Sequence, residues 1–362
     1  MKPETPRNVL VLALSALGDL LLALPLCLAI RERFPNCRLT LLCERVGTAA
    51  FAKEIGIADR VSIIPARARR SPLDLLKALL QARAMGGELA FQTFASHGSF
   101  GNLMMRASGA GTRVGFISGR FAGLLTHAVK ITDDRHRITH NLDLLRQIGF
   151  PEIKDPSDRY LPPLETRSTA FPVKELPARF GRYAVISTGS DPKLAFKRWP
   201  EQKWSELLQK ISAMGVRSVF VGDGEQRAIV DRIISAAKQP LAANLAGETT
   251  FCDLAALISA SELVVATDGM ILHFAAAMKK LCIGIFGPSN VVGGGPFGQS
   301  QNAVSLGLPC SPCYRETAVG RPHQCTIGHQ CLQQLDSDLV IQKISQHINK
   351  TTQILPASCS SS

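Results

Sequence analysis

Four short constellations hold residue types that could do chemistry. Asp19 follows Leu17 and Gly18, directly after the apolar run Val9–Leu14. A carboxylate at the carboxyl end of a first parallel strand lies where open α/β sheets bind ligands. Its neighbours Leu20, Leu21 and Leu22 would desolvate it and raise its pKa toward the range of a general base. The position suits equally a carboxylate that stabilises the amino end of a helix. Thr188, Gly189 and Ser190, then Lys197 and Arg198, offer hydroxyls, backbone N–H groups and cations to an anionic ligand. Solvated loop charges are the plainer alternative. Asp268 and Gly269 open a helix that carries His273. Gly269 permits close backbone approach, and the helix amino end could receive a diphosphate while Asp268 orients the turn or meets a sugar hydroxyl. A half-buried helical histidine is the plainer reading of His273.

The fourth constellation is Cys310, Cys313, Cys325 and Cys331, with His323 and His329 nearby. Four thiolates that begin with a C-x-x-C knuckle suit a structural tetrahedral Zn or Fe site. Reduced structural thiols are the alternative. Cys27, Cys37, Cys43, Cys252 and Cys282 stand singly in apolar surroundings and read as core thiols, which suits a reducing compartment.

The elements that must position these groups follow from periodicity. Val9–Leu14 is a continuous apolar run of strand length, Ser15–Asp19 is a short turn, residues 19–33 read as a helix stopped by Phe34 and Pro35, and Arg38–Cys43 is a second strand. Strand and helix continue to alternate through Thr139–Ile148. Pro151, Pro156, Pro162, Pro163, Pro172 and Pro177 then interrupt the pattern, which restarts at the strand Tyr183–Ser187. The reading is two Rossmann-like doubly wound α/β domains: residues 1–165, a linker over 166–180, and residues 181–335 with the cysteine-rich segment. A terminal helix and a disordered tail occupy 336–362. A cleft between the domains is the expected ligand site.

Composition agrees with this class. Of 362 residues, 46% are hydrophobic and 19% charged, which excludes a disordered or collagen-like chain. No G-x-G-x-x-G follows the first strand and no G-x-x-x-x-G-K-[ST] occurs, so the usual NAD and P-loop fingerprints are missing. No apolar run is long enough to span a bilayer. The net charge is +12, and residues 1–150 carry 20 Lys and Arg against 11 Asp and Glu. So basic a first half suggests a polyanionic partner. Charge alone supports no nucleic-acid module, and none is expected.

The stretches Leu17–Pro25, Arg113–Phe116, His140–Gly149, Lys197–Pro200, Asn244–Gly247, Asp268–Ala277 and Ile285–Pro288 occur in the order of one family. The chain resembles the lipopolysaccharide heptosyltransferases of glycosyltransferase family 9 over roughly residues 8–345. The resemblance implies a GT-B fold, two Rossmann-like domains facing across a cleft. It implies transfer, with inversion, of heptose from ADP-L-glycero-D-manno-heptose to the inner core of lipopolysaccharide. Asp19 corresponds to the family's general base and Lys197 to its donor-phosphate lysine. The turn Asp268–His273 corresponds to the diphosphate contact, with Thr188, Ser190 and Gly269 beside the donor. The turn departs from the family's usual form at Met270 and Ile271. Cationic and dipolar groups would replace a catalytic metal. The phosphorylated, Kdo-bearing lipid A or core acceptor would meet Arg67, Arg69, Arg70, Arg113 and Arg120, which otherwise are solvated charges. A cytoplasmic protein touching the inner membrane peripherally is implied. A heptosyltransferase acting on a protein, or a non-catalytic nucleotide- or glycan-binding relative, are the alternatives.

Overall fold

The first strand, β1 (Asn8–Ala13), is buried on both faces, with Val9, Leu10, Val11 and Leu12 at most 1% exposed. Each such side chain contributes about 1.5–3 kcal/mol on burial. A strand with two apolar faces belongs in the middle of a parallel sheet. In a computed structural model describing residues 5–189, 192–314 and 325–352, β1 lies between β2 (Arg38–Cys43) and β4 (Leu89–Gln92). With β3 (Arg60–Ile63), β5 (Thr112–Phe116) and β6 (His127–Val129) these form a parallel sheet of order β3-β2-β1-β4-β5-β6. The second sheet repeats the plan. Its strands are β7 (Tyr183–Ser187), β8 (Arg217–Phe220), β9 (Ala243–Asn244), β10 (Leu263–Thr267), β11 (Cys282–Ile285) and β12 (Ala303–Val304), in order β12-β11-β10-β7-β8-β9. Each sheet reverses its winding beside its first strand, between β1 and β4 and between β7 and β10, and such switch points open crevices.

The helices of the first half are α1 (Leu17–Arg33), α2 (Val46–Glu54), α3 (Pro72–Met85), α4 (Ser99–Ala107) and α5 (Arg137–Gln147). Those of the second are α6 (Leu176–Phe180), α7 (Glu201–Ala213), α8 (Arg227–Ala237), α9 (Phe251–Ala260), α10 (Met270–Ala277), α11 (Val291–Gly294), α12 (Gln330–Gln333) and α13 (Ser337–Thr352). Helix α1 starts without a polar capping residue at Ala16; the Asp19 carboxylate reaches back to accept the Ala16 N–H at 3.2 Å. Asn141 on α5 pins α1 to the end of β4. It accepts the Phe94 N–H at 2.8 Å and donates to the Leu22 carbonyl at 3.0 Å.

The proline-rich stretch between the sheets is packed against the second domain. Leu164, Phe171, Leu176 and Phe180 are buried, the Tyr160 N–H donates to Ala277 at 3.1 Å, and Ser168 donates to Asp253 on α9 at 2.6 Å. Proline restricts φ without forbidding burial, so apolar residues between the prolines can still join a core. The two domains share one buried apolar cluster. Phe51 on α2 meets Phe251 on α9 edge-on, with centroids 4.8 Å apart. Helices α2 and α4 and the short strands β6, β9 and β12 have no counterpart in the sequence reading. Gly47, Gly98 and Gly101 interrupt the helical signal, and strands of two or three residues carry almost none. Ser190, His323 and the expected disordered tail, with Cys359, lie outside the described residues.

Candidate active site

The carboxyl ends of β1, β7 and β10 open on one cleft of about 490 Å³, within the range of small-molecule sites. The first domain supplies Ala16–Asp19, Arg45 and Arg137; the second supplies Ser187, Gly189, Lys197 and the turn Thr267–Ile271. Gly18 packs against the start of α10, where a Cβ would be in ordinary van der Waals contact, 3.5 Å from Met270 Cα. The start of α10 also faces the cleft. Its capping residue is Gly269, which has no side chain to occupy the first N–H groups.

The charges form a chain across the domains. Lys197 donates to Asp268 at 2.7 Å, and its ammonium lies 4.5 Å from the centre of the Tyr314 ring. Lys197 and Asp268 are both buried. Asp268 lies 4.0 Å from His273 Nε2. On the opposite wall, Arg137 Nη1 is 3.8 Å from Asp19 Oδ1. Gly294 admits the Arg137 side chain, because a Cβ there would come within 2.7 Å of Nη2. Burial would raise the Asp268 carboxyl, but the Lys197 ammonium and then the Arg137 guanidinium overcome it and hold Asp268 well below the usual carboxylate range. Asp268 is thus ionised at neutral pH.

His273 behaves oppositely. Burial pushes its pKa down to about 3, against the pull of Asp268. Its Nδ1 is buried and makes no hydrogen bond among the described residues. A neutral imidazole with an unsatisfied nitrogen beside a cleft is suited to meet a ligand atom. The unfolded chain, with an ordinary histidine pKa near 6.5, binds more protons than the fold between that value and about 3. Stability therefore falls as pH drops through this window, by up to about 1.4 kcal/mol per pH unit. Denaturant unfolding at pH 7 and pH 5 should show a smaller loss for His273→Gln than for the wild type; equal losses would contradict the assignment.

Several lining residues carry no signal that sequence reading used. Arg137, Arg45 and Thr249 reach the cleft only through tertiary packing. Gly222, Asp223 and Gln226 follow β8, where the short Gly-Asp-Gly turn reads as an ordinary βα loop. Gly189 and Gly222 both leave room for the Gln226 side chain, which a Cβ at Gly189 would meet at 2.0 Å. Gln226 Oε1 is buried and lacks a partner among the described residues.

The remaining predicted site residues scatter. Ser187 and Gly189 line the cleft, whereas Thr188 is buried between them and does not. Arg67, Arg69 and Arg70 line a separate recess of about 670 Å³ with Arg45, which also borders the main cleft. Arg69 makes a bidentate pair with Glu44 at 2.9 Å. Arg113 pairs in register with Ala90, itself level with Leu10 near the amino end of β1, and its guanidinium binds the carbonyls of Leu124 and Ala110 at 2.7 and 2.6 Å. It is not among the residues that line the cleft. Arg120 is exposed on the loop after β5. Cys310 and Cys313 are exposed, Cys325 is half-buried and Cys331 is buried. Burial first, and then the neighbouring cysteines, push the Cys313 and Cys331 thiols up. Among the described residues no three His, Cys, Asp or Glu side chains converge as metal ligands. No helix among them is long and apolar enough to cross a membrane.

Two parallel sheets of Rossmann order open their carboxyl edges on a shared cleft, with a lysine and a helix amino end on one wall and a carboxylate on the other. This is the GT-B architecture. The chain belongs to glycosyltransferase family 9 (heptosyltransferase), whose profile matches residues 101–323. It is 28% identical over 128 residues to lipopolysaccharide heptosyltransferase 1 of Pseudomonas aeruginosa, a stretch covering 35% of each chain. It is 31% identical over 97 residues to lipopolysaccharide heptosyltransferase 2 of Escherichia coli K12, covering 26% of this chain and 28% of that one. The chain thus spans about a third of the length of these curated relatives. In three dimensions it is similar to E. coli ADP-heptose lipopolysaccharide heptosyltransferase II, with a TM-score of 0.70 at 18% identity over 95% of this chain and 99% of that one. It is also similar to a family 9 glycosyltransferase from Veillonella parvula, with a TM-score of 0.72 at 16% identity over 97% and 99%.

Proposed function

We propose that the protein moves heptose from ADP-L-glycero-D-manno-heptose to a hydroxyl of the lipopolysaccharide inner core, inverting the anomeric centre. The observation that carries the reading is the opposition of Asp19 on one wall to Lys197 and the amino end of α10 on the other. The relatives named lipopolysaccharide heptosyltransferases, and a solved E. coli heptosyltransferase described with ADP-2-deoxy-2-fluoro heptose, support the choice of donor and acceptor.

In this reading the acceptor oxygen attacks the anomeric carbon from the Asp19 side, and its proton passes to the Asp19 carboxylate. The bond between the anomeric carbon and the β-phosphate oxygen breaks on the opposite side. Its electron pair leaves with ADP through an oxocarbenium-like transition state. Lys197 and the free N–H groups at Gly269–Ile271 stabilise the charge that grows on the diphosphate, a preorganised arrangement that needs no reorganisation during the reaction. Arg137 is a positioning residue for Asp19 and adds positive charge beside Asp268. The four cysteines do not converge as a Zn or Fe site among the described residues, and they are proposed as reduced structural thiols. The recess at Arg67, Arg69 and Arg70 is proposed for phosphates of a Kdo-bearing acceptor.

The test is a panel of nucleotide sugars with and without deacylated core acceptor, read as nucleotide release. ADP release from ADP-heptose only when acceptor is present, and undiminished by chelator, is expected. Turnover of a UDP-sugar in its place, or strict dependence on added Mg²⁺ or Mn²⁺, would overturn the reading.

A further inference from the structure

Two segments from different domains meet beside the cleft. The loop 133–137 of the first domain lies between β6 and α5; the segment 290–297 of the second follows β11 and contains α11. Both leave the carboxyl edge of their sheet, and a gap of about 40 Å³ is left between them, bordered by Arg137, which also lines the cleft. Asn290 donates from Nδ2 to the Asp133 carbonyl at 2.9 Å. His136 binds the Gly295 carbonyl through Nε2 at 3.0 Å, and its ring packs on Phe297 with centroids 4.8 Å apart.

The two ring nitrogens of His136 have their roles set by their partners. Nδ1 accepts the Ile138 N–H at 3.1 Å and caps α5, so the ring proton sits on Nε2 and is donated to the second domain. Burial pushes the pKa down to about 4, which keeps the ring neutral at pH 7. Asn290 divides its amide in the same way. Oδ1 accepts the Val292 N–H at 2.9 Å at the start of α11, while Nδ2 crosses to the first domain. For capping alone Asp would serve at either place. What His and Asn add is a second atom that donates across the boundary. Arg137, next to His136, enters between the domains. Its Nη1 is 3.8 Å from Asp19 Oδ1, its charge acts on Asp268, and Gly294, next to the carbonyl that His136 binds, leaves room for the guanidinium.

We propose that His136 and Asn290 are positioning residues of the transfer: they lock the 133–137 loop onto the 290–295 segment, hold Arg137 between Asp19 and Asp268, and so set the distance from the base to the donor. The role in transfer rests on the reading of Asp19 as base; the lock itself rests on the two bonds across the boundary. Each such bond shifts an equilibrium between joined and parted segments about two- to tenfold. Transfer is sensitive to that shift, because a displacement of about 1 Å at a reacting centre can cost about 10²-fold in rate.

Substitutions that keep one function of each side chain test the lock. His136→Asn keeps an acceptor for the Ile138 N–H but is too short to reach Gly295, whereas His136→Gln presents an N–H in place of Nε2 and caps poorly. Asn290→Asp keeps the acceptor for Val292 and removes the donor to Asp133. The full chain and these variants are compared in single-turnover transfer from ADP-heptose to deacylated acceptor, in titration with ADP, and in hydrogen–deuterium exchange of the peptides 132–138 and 290–297. His136→Asn and Asn290→Asp should transfer about tenfold more slowly with ADP affinity within about twofold of wild type, while His136→Gln keeps most of the rate. Exchange in both slow variants should quicken in both peptides, including the one that carries no substitution. With Arg137→Met already in place, His136→Asn should slow transfer no further, since the lock acts through Arg137. A wild-type rate in His136→Asn, a Gln variant as slow as the Asn one, an additive loss with Arg137→Met, or quickened exchange confined to the substituted peptide would overturn the proposal. A wild type that transfers nothing from ADP-heptose, with exchange still coupled between the two peptides, would count against the proposed reaction and leave the lock standing.

Discussion

Lys197→Ala is expected to cost more stability than any surface substitution and to disable the donor wall as well. Asp268 is buried and held ionised chiefly by Lys197. Removing one partner of a buried ion pair leaves an uncompensated charge and typically costs about 3–5 kcal/mol. Arg137 also faces Asp268, so the lower end of that range is expected here. Even this is a large fraction of the roughly 5–15 kcal/mol that holds a typical domain together. The catalytic loss is separate. Without the ammonium, charge on the departing diphosphate loses a preorganised partner, worth about 10²–10³ in rate by analogy with a deleted oxyanion donor. Lys197→Met combined with Asp268→Asn tells the two effects apart. The neutral pair should recover stability in denaturant titrations while turnover stays low. A single Lys197→Ala variant with wild-type stability and wild-type kcat/KM would refute both parts.

The framework of this site was legible in the residues because chemistry and periodicity coincide there. Val9–Leu14 reads as a buried central strand, and Asp19 stands where such a strand must hand over to a helix. Asp268 and Gly269 occupy the same place after β10. Arg38–Cys43 was legible to the residue, since polar or turn-forming neighbours bound the run. Arg137 was not legible. It opens α5, remote in sequence from Asp19 and Asp268, and only the packing of the two domains makes it their neighbour. The inner and outer sides of α3 (Pro72–Met85) were hidden for a different reason. Leu73, Leu75, Leu76, Leu79 and Leu80 look alike in sequence, and only the position of α3 on the sheet separates those that face inward from those that face solvent. Arg113 illustrates the converse. As one of the cations of a basic first half it suggested an acceptor contact, yet its guanidinium is taken up by two carbonyls and it is not among the residues that line the cleft.

The second large effect is expected at Asp19. The asparagine substitution keeps the size and an oxygen to accept the Ala16 N–H, so the start of α1 should persist. The substitution removes the negative charge opposite Arg137 and, with it, the capacity to take a proton. A positioned general base contributes about 10²–10⁴ in rate, so turnover should fall by that factor. Donor binding depends on the other wall and should change little. The unfolding midpoint should shift only slightly, because the carboxylate is partly exposed and its ion pair is long at 3.8 Å. The decisive measurement is therefore made on Asp19→Asn with ADP-heptose and deacylated acceptor, following ADP release under single-turnover conditions beside a direct titration of donor affinity. The account predicts a rate at least about 10² lower with donor affinity unaltered. Transfer at the wild-type rate would show that another group takes the proton; loss of donor binding with an unchanged rate for bound donor would place Asp19 on the wrong wall.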